Sequence, residues 1–195
     1  ELNVDRYVAF GTSLGGIVTM LLAADAPEKL AGVVLNDVGP VLEPAAIERI
    51  AQYVGTMPVF PTEQTAADAL WEVSRTFGPH TPEQWMALTR PMLRPVEGGW
   101  TLHYDPAIAV PFRALLEAQR AAQAADPAAA ADAQRSAQQA GEATLWAIYD
   151  AITCPTLLLR GAASDLLSRE TALAMTQRGP RARLVEFAGV GHAPT

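Results

Sequence analysis

The residues best suited to chemistry in this sequence are a serine set among glycines near one end and a histidine near the other. Gly11-Thr12-Ser13-Leu14-Gly15 reads G-x-S-x-G, and a further glycine follows at Gly16. A serine on a sharp strand-to-helix turn has a strained backbone, so the positions two before and two after it, Gly11 and Gly15, are expected to lack side chains. That turn lifts the hydroxyl out of a sheet and sets it at a helix N-terminus, where the N–H of Leu14 could stabilise an oxyanion. The chemistry implied is attack on an acyl carbon, and a serine hydroxyl needs a base for it. Of the three histidines, His192 stands in the glycine-bearing loop Ala188-Gly189-Val190-Gly191-His192 and is the expected base. His80 and His103 fall in a helical middle segment, where surface or packing roles are expected.

The base in turn needs an orienting carboxylate. Asp165, in Arg160-Gly161-Ala162-Ala163-Ser164-Asp165, follows a strand-like run and gives the chain order Ser, Asp, His that suits a nucleophile of this kind. It is the favoured acid. Asp37 is the alternative, because it too stands just past a strand-like run; otherwise it would cap its own loop through the backbone of Val38 and Gly39.

These groups need elements that bring them together. Tyr7 to Phe10 and Leu30 to Asn36 are apolar, β-branched runs that read as buried strands, and Ile17 to Ala26 between them reads as a helix stopped by Pro27. Strand, helix and strand in that order imply a parallel sheet covered by helices, an α/β fold. The pattern returns with a strand at Thr156 to Leu159, a helix at Ser168 to Arg178 with Ser168 as its cap, and a strand at Arg183 to Phe187. Residues 41–141 show helical periodicity with Pro punctuation and no strong strand. Helices are predicted over Pro44 to Gly55, Thr62 to Phe77 and Thr81 to Leu88, the last started by Thr81, Pro82 and Gln84. From Ala114 to Ala140 the composition falls to Ala and Gln with scattered charges, read as either a solvated helix, which Ala propensity favours, or a mobile segment, since the weak apolar face argues against tight docking. The division expected is therefore a core from 1–40 and 142–195, with 41–141 inserted as a helical lid.

Together, GTSLGG at 11–16, LNDVGP at 35–40, CPTLLLRGAASDLLS at 154–168 and GVGHAPT at 189–195 resemble the α/β-hydrolase family. More narrowly they are similar to bacterial lid-bearing hydrolases of the esterase and carbon–carbon-bond type. The resemblance implies Ser13 as nucleophile, Asp165 as acid, His192 as base and Leu14 as one oxyanion donor. It also implies a parallel sheet flanked by helices with an inserted lid. Family members usually carry more strands ahead of the elbow, with a loop giving the second oxyanion donor, and a helix after the histidine. The sequence is therefore expected to be a portion of a longer enzyme.

Composition narrows the partners. Of the 195 residues half are apolar and 18% are charged, and the net charge is −7 without any basic run. Nucleic acid and anionic membrane surfaces are thus not expected partners. The single cysteine, Cys154, permits no internal disulfide and reads as a buried structural thiol. No paired histidine spacing suggests a metal, and Gly11 to Gly16 lacks the lysine of a phosphate loop, so no cofactor is expected. The longest apolar stretch, Leu14 to Ala24, is too short to span a bilayer, and Glu1 to Arg6 lacks a basic leader, so the cytoplasm is the default. The expected partner is a small hydrophobic carboxylic ester or a related acyl or carbon–carbon substrate. Trp100, Tyr104, Phe112 and Trp146 are candidates to line its pocket, with Trp71 and Trp85 nearby in sequence. A perhydrolase using the same three residues with peroxide, or a non-catalytic binding protein, are the alternatives.

Overall fold

The computed structural model describes residues 4–194. Its sheet is built from β1 (Tyr7–Thr12), β2 (Leu30–Asn36), β5 (Thr156–Gly161) and β6 (Arg183–Phe187). These pair in the order β1-β2-β5-β6, every pair parallel. All four strands therefore end at the same edge, which is where loops of a parallel sheet can pool side chains.

Helix α1 (Leu14–Asp25) covers the sheet through Gly16, Thr19, Met20 and Ala23, spaced three or four apart on one face. It ends at Ala26, whose N–H reaches Leu22 O, because Pro27 cannot continue the ladder. Met20, Leu30, Val33, Leu35, Leu158, Leu167 and Met175 form one apolar cluster with Tyr149 and Ile152. Truncating a side chain as enclosed as Met20 would cost about 2–5 kcal/mol. Helix α7 (Arg169–Met175) links β5 to β6, and the Ser168 hydroxyl accepts the Thr171 N–H at 3.2 Å as the predicted cap.

The chain divides into two compact units. The sheet unit runs to Ile47, takes in Thr76–Gly78, and resumes at Ala133. The second unit comprises Glu48–Arg75 and Pro79–Asp132. Three residues from the middle of the helical stretch thus belong with the sheet, and so does the region from 133 onward.

Helices α2 (Pro44–Ala51), α3 (Glu63–Ser74) and α4 (Pro82–Thr89) match the expected segments, the first two shorter than read and the third shifted by one residue. Thr62 and Thr81 each make a capping box, Thr81 with Gln84. The Ala/Gln-rich region is helical but broken at Asp126 into α5 (Val110–Ala125) and α6 (Pro127–Asp150), where Pro127 starts the second helix.

One expectation fails in the second unit. The stretch 41–141 was expected to hold no strong strand, yet β3 (Leu93–Val96) and β4 (Gly99–Leu102) form an antiparallel hairpin. Its turn depends on Gly98 and Gly99, at φ 85° and 145°, conformations that side chains resist. Four-residue strands, one containing Pro95, give too short an alternation to stand out from the helical pattern. No helix among the described residues is long and apolar enough to cross a membrane.

Candidate active site

Ser13 lies between β1 and α1 at φ 52° and ψ −122°, a conformation that an L residue adopts only under constraint. The constraint is visible on both sides. The Ser13 N–H is held by Asn36 O at 3.2 Å, and Ser13 O receives Gly16 N at 2.8 Å. A Cβ on Gly11 would collide with Gly15 O and come within 2.5 Å of Thr19 Oγ1. A Cβ on Gly16 would collide with Val38 Cγ1 and meet Gly11 O at 3.0 Å, whereas one on Gly15 would meet nothing within 4 Å. The expectation that Gly15 must lack a side chain is thus corrected: the tight positions are Gly11 and Gly16, because the helix backbone crosses β1 and β2 there. Leu14 is the first residue of α1, so its N–H has no acceptor within the helix.

His192 follows β6 as expected. Its Nδ1 stands 2.8 Å from Asp37 Oδ2, and the Asp37 side chain is fully buried while that of His192 is 10% exposed. Of the two carboxylates considered, the alternative, Asp37, is the one in contact with the histidine, whereas Asp165 is exposed. The physical reason lies in the local backbone. Asp37 is at φ 54°, directly after β2, and its own N–H is tied to Leu159 O at 2.8 Å. This turns its side chain along the sheet edge, where Oδ1 accepts the Gly161 N–H at 3.0 Å and Oδ2 accepts the Ser164 hydroxyl at 2.5 Å. The loop-capping role considered for Asp37 is replaced by these cross-strand bonds.

Sequence reasoning passed over Asn36 and Ser164. The buried Asn36 amide donates to Thr12 Oγ1 at 3.1 Å and to Pro194 O at 2.8 Å. It therefore links the residue before Ser13 to the loop that carries His192. The signal for Ser164 was its place in Ser-Asp-Leu-Leu, a hydroxyl residue able to close an ST turn on the following N–H groups. The histidine is also packed by the sheet unit's Thr76–Gly78 loop. The Phe77 ring meets the His192 ring edge-on at 6.4 Å between centroids, and Thr76 O accepts Gly191 N at 2.6 Å.

The pocket candidates scatter. Trp146 is in α6, under the Arg178 guanidinium at 4.2 Å and against Tyr149 at 5.8 Å, so it packs in the sheet unit. Trp100 is half-buried in β4 and pairs through its backbone with Phe60. The Tyr104 hydroxyl accepts Gly55 N and donates to Thr56 O, both at 3.0 Å, so it pins a turn. Phe112 is half-buried on α5. Trp71 and Trp85 pack edge-on at 5.1 Å with His80 beside them, a packing role for that histidine, while His103 is exposed. Cys154 is buried, and burial raises its thiol pKa. No group of three or more His, Cys, Asp or Glu among the described residues could hold a metal ion.

Comparison with known proteins bears on the family and the fold. The sequence matches the model of the "Alpha/beta hydrolase family" over residues 2–195. It is 44% identical over 199 aligned positions to the 3-hydroxybutyrate-oligomer hydrolase of Cupriavidus necator, covering 100% of this chain and 62% of that protein. An α/β hydrolase from Novosphingobium aromaticivorans superimposes with a TM-score of 0.73 at 36% identity, over 98% of this chain and 60% of that one. E-2-(acetamidomethylene)succinate hydrolase shares the fold at a TM-score of 0.72 and 20% identity, over 98% of this chain and 61% of that one. The chain therefore spans about three-fifths of the length of these relatives. With the parallel sheet, the strained Ser13 turn and the histidine–carboxylate pair at one sheet edge, these matches establish that the chain belongs to the α/β-hydrolase family.

Proposed function

We propose that this chain carries the catalytic machinery of a serine hydrolase acting on ester bonds of short 3-hydroxyacyl oligomers, with Ser13 as nucleophile, His192 as base and Asp37 as acid. The observation that carries the reading is the buried Asp37 carboxylate on His192 Nδ1, at the sheet edge where Ser13 sits on its strained turn. The substrate class rests on the 44% identity to a 3-hydroxybutyrate-oligomer hydrolase across the whole of this chain.

A carboxylate only accepts hydrogen bonds, so Nδ1 of a neutral His192 carries the proton and Nε2 keeps the lone pair. In the proposed sequence Nε2 takes the Ser13 hydroxyl proton as Oγ attacks the ester carbonyl. The resulting oxyanion is met by the Leu14 N–H at the N-terminus of α1. The tetrahedral intermediate collapses, the ester C–O bond breaks, and the imidazolium returns its proton to the leaving 3-hydroxyl. Water, deprotonated by His192, then attacks the acyl-serine and releases the acid. Asp37 stays ionised throughout and stabilises the imidazolium. Ser13 in place of an aspartate selects this acyl route. The lid expected over 41–141 is proposed for the second unit alone, Glu48–Arg75 and Pro79–Asp132.

The test is labelling of the full-length protein with a fluorescent fluorophosphonate, beside hydrolysis of the linear 3-hydroxybutyrate dimer. Labelling and dimer cleavage that both vanish in Ser13→Ala are expected. A folded protein that does not label overturns the serine mechanism and favours a non-catalytic member of the family. A protein that labels but cleaves p-nitrophenyl butyrate and not the dimer overturns the substrate class alone.

A further inference from the structure

Ser164 makes more of its single hydroxyl than any other side chain near the histidine. Its oxygen accepts two backbone N–H groups, Leu166 N and Leu167 N, each at 3.2 Å. A hydroxyl has two acceptor sites and one proton, and an N–H can only donate. The proton is thereby left for one direction, toward Asp37 Oδ2 at 2.5 Å. The polarity of this bond is fixed by its neighbours. The same turn delivers the Gly161 N–H to Asp37 Oδ1 at 3.0 Å, so residues 161 and 164 grip both oxygens of the carboxylate.

Asp37 is fully buried, and an ionised carboxylate in such a place needs donors on both oxygens. It has three: Gly161 N, Ser164 Oγ and His192 Nδ1. Two of them share Oδ2, so Ser164 fixes the side on which the histidine must bind. We propose that Ser164 is a positioning residue of the hydrolytic site, holding the Asp37 carboxylate aimed at His192 by a hydroxyl whose proton is directed at Asp37 Oδ2. The proposal rests on the Ser13–Asp37–His192 reading above and extends it to a residue in the loop that carries Asp165.

The loop is anchored without the hydroxyl. Ser164 N reaches Gly161 O at 2.9 Å, Ala162 N reaches Phe187 O at 2.9 Å, and Ala163 N reaches Val190 O at 2.8 Å. The buried Arg160 holds Leu167 O at 2.8 Å and pairs with Glu186 at 2.9 Å. Removing the hydroxyl therefore takes away the donor to Asp37 and the acceptor of Leu166 N and Leu167 N, while these other bonds still hold the turn.

The experiment compares Ser164→Ala, Ser164→Thr and Asp37→Asn in the full-length protein, with p-nitrophenyl butyrate as substrate. Loss of one hydrogen bond to a buried charge predicts a roughly 10- to 100-fold fall in kcat for Ser164→Ala with KM little changed. Ser164→Thr, which keeps a hydroxyl, restores kcat to within about fivefold of the parent. The downfield proton resonance of a carboxylate-bonded imidazole N–H, present in the parent, broadens or moves upfield in Ser164→Ala and returns in Ser164→Thr. A Ser164→Ala variant with parental kcat and an unmoved resonance overturns the positioning role, provided Asp37→Asn is inactive. An active Asp37→Asn would instead overturn the triad reading beneath it. Should Ser164→Ala fail to fold, Ser164→Thr decides: inactivity in a folded threonine variant whose resonance is parental overturns the proposal.

Discussion

Replacing Asp37 by asparagine is the sharpest perturbation the site offers, because size is kept and only charge and hydrogen-bond direction change. The carboxylate now accepts from three donors, Gly161 N on one oxygen and Ser164 Oγ with His192 Nδ1 on the other. An amide cannot do this in either orientation. With its NH₂ in the place of Oδ2, it donates to His192 Nδ1, so the imidazole proton moves to Nε2 and the base is lost. With the NH₂ in the place of Oδ1, it opposes the Gly161 N–H, donor against donor, inside a fully buried site. The first arrangement also sets the NH₂ against the Ser164 hydroxyl, and it removes catalysis through the wrong tautomer. Such a change in a serine triad lowers kcat by about 10⁴-fold, equivalent to about 5 kcal/mol in the barrier. The assay is steady-state hydrolysis of p-nitrophenyl butyrate by Asp37→Asn and Asp165→Asn side by side, with fluorophosphonate labelling to report Ser13 reactivity. Asp37→Asn is expected to lose both signals, and Asp165→Asn to stay within about fivefold of the parent. If Asp165→Asn collapses while Asp37→Asn remains active, the assignment of the acid from this geometry is wrong.

Further tests address the elbow and the core. Gly16→Ala drives a Cβ into Val38 Cγ1 and should cost about 1–3 kcal/mol in urea unfolding, while Gly15→Ala, with open space around it, should be neutral or slightly stabilising in the first turn of α1. Parental stability in Gly16→Ala would contradict the close crossing. The Tyr149 hydroxyl donates to Met175 O at 2.6 Å, and burial, reinforced by the Asp150 charge, pushes its pKa up to about 12. Because the folded value lies above the ordinary value near 10, the stability it contributes is intact below pH 10 and is lost as pH rises toward 12, by up to about 3 kcal/mol. In Tyr149→Phe, stability measured against pH should lose that part of the alkaline slope. Cys154 is buried with its thiol pKa raised, so iodoacetamide should modify it in urea and spare it in native buffer. Rapid native alkylation would show that the strand approach to β5 opens.

The parallel sheet was legible because its strands are short, β-branched and bounded by Gly or Pro. Arg183–Phe187 and Leu30–Asn36 occur where the apolar runs placed them. Ser13 and His192 were legible for a related reason: each needs glycines beside it, and glycines show in a sequence. The hairpin at Leu93–Leu102 was hidden by its brevity. Its signal was the Glu97-Gly98-Gly99 turn, which weighs little against the helical patterns on either side. Trp146 was read as a pocket candidate, and it packs in α6 against Tyr149. Its cation–π contact with Arg178 depends on a residue far along the chain.

The acid could not be chosen from sequence because β2 and β5 are neighbours in register, Asn36 opposite Leu159, and each is followed by an aspartate at the same edge. Either carboxylate could be offered to a histidine arriving from β6. What decides between them is the turn after β5. In Gly161-Ala162-Ala163-Ser164, closed by Ser164 N on Gly161 O, the residue turned toward β2 is Ser164, and the next residue, Asp165, is exposed. Ser164 thus fills the place from which a β5 acid would have to reach His192, and its proton has only Asp37 to go to. The contact between Asp37 and His192 is therefore a property of hydrogen-bond donors around a buried carboxylate, spread over β2, β5 and the loop after β6. Three hydrogen-bond donors converge on the buried Asp37 carboxylate, whereas Asp165 stands exposed.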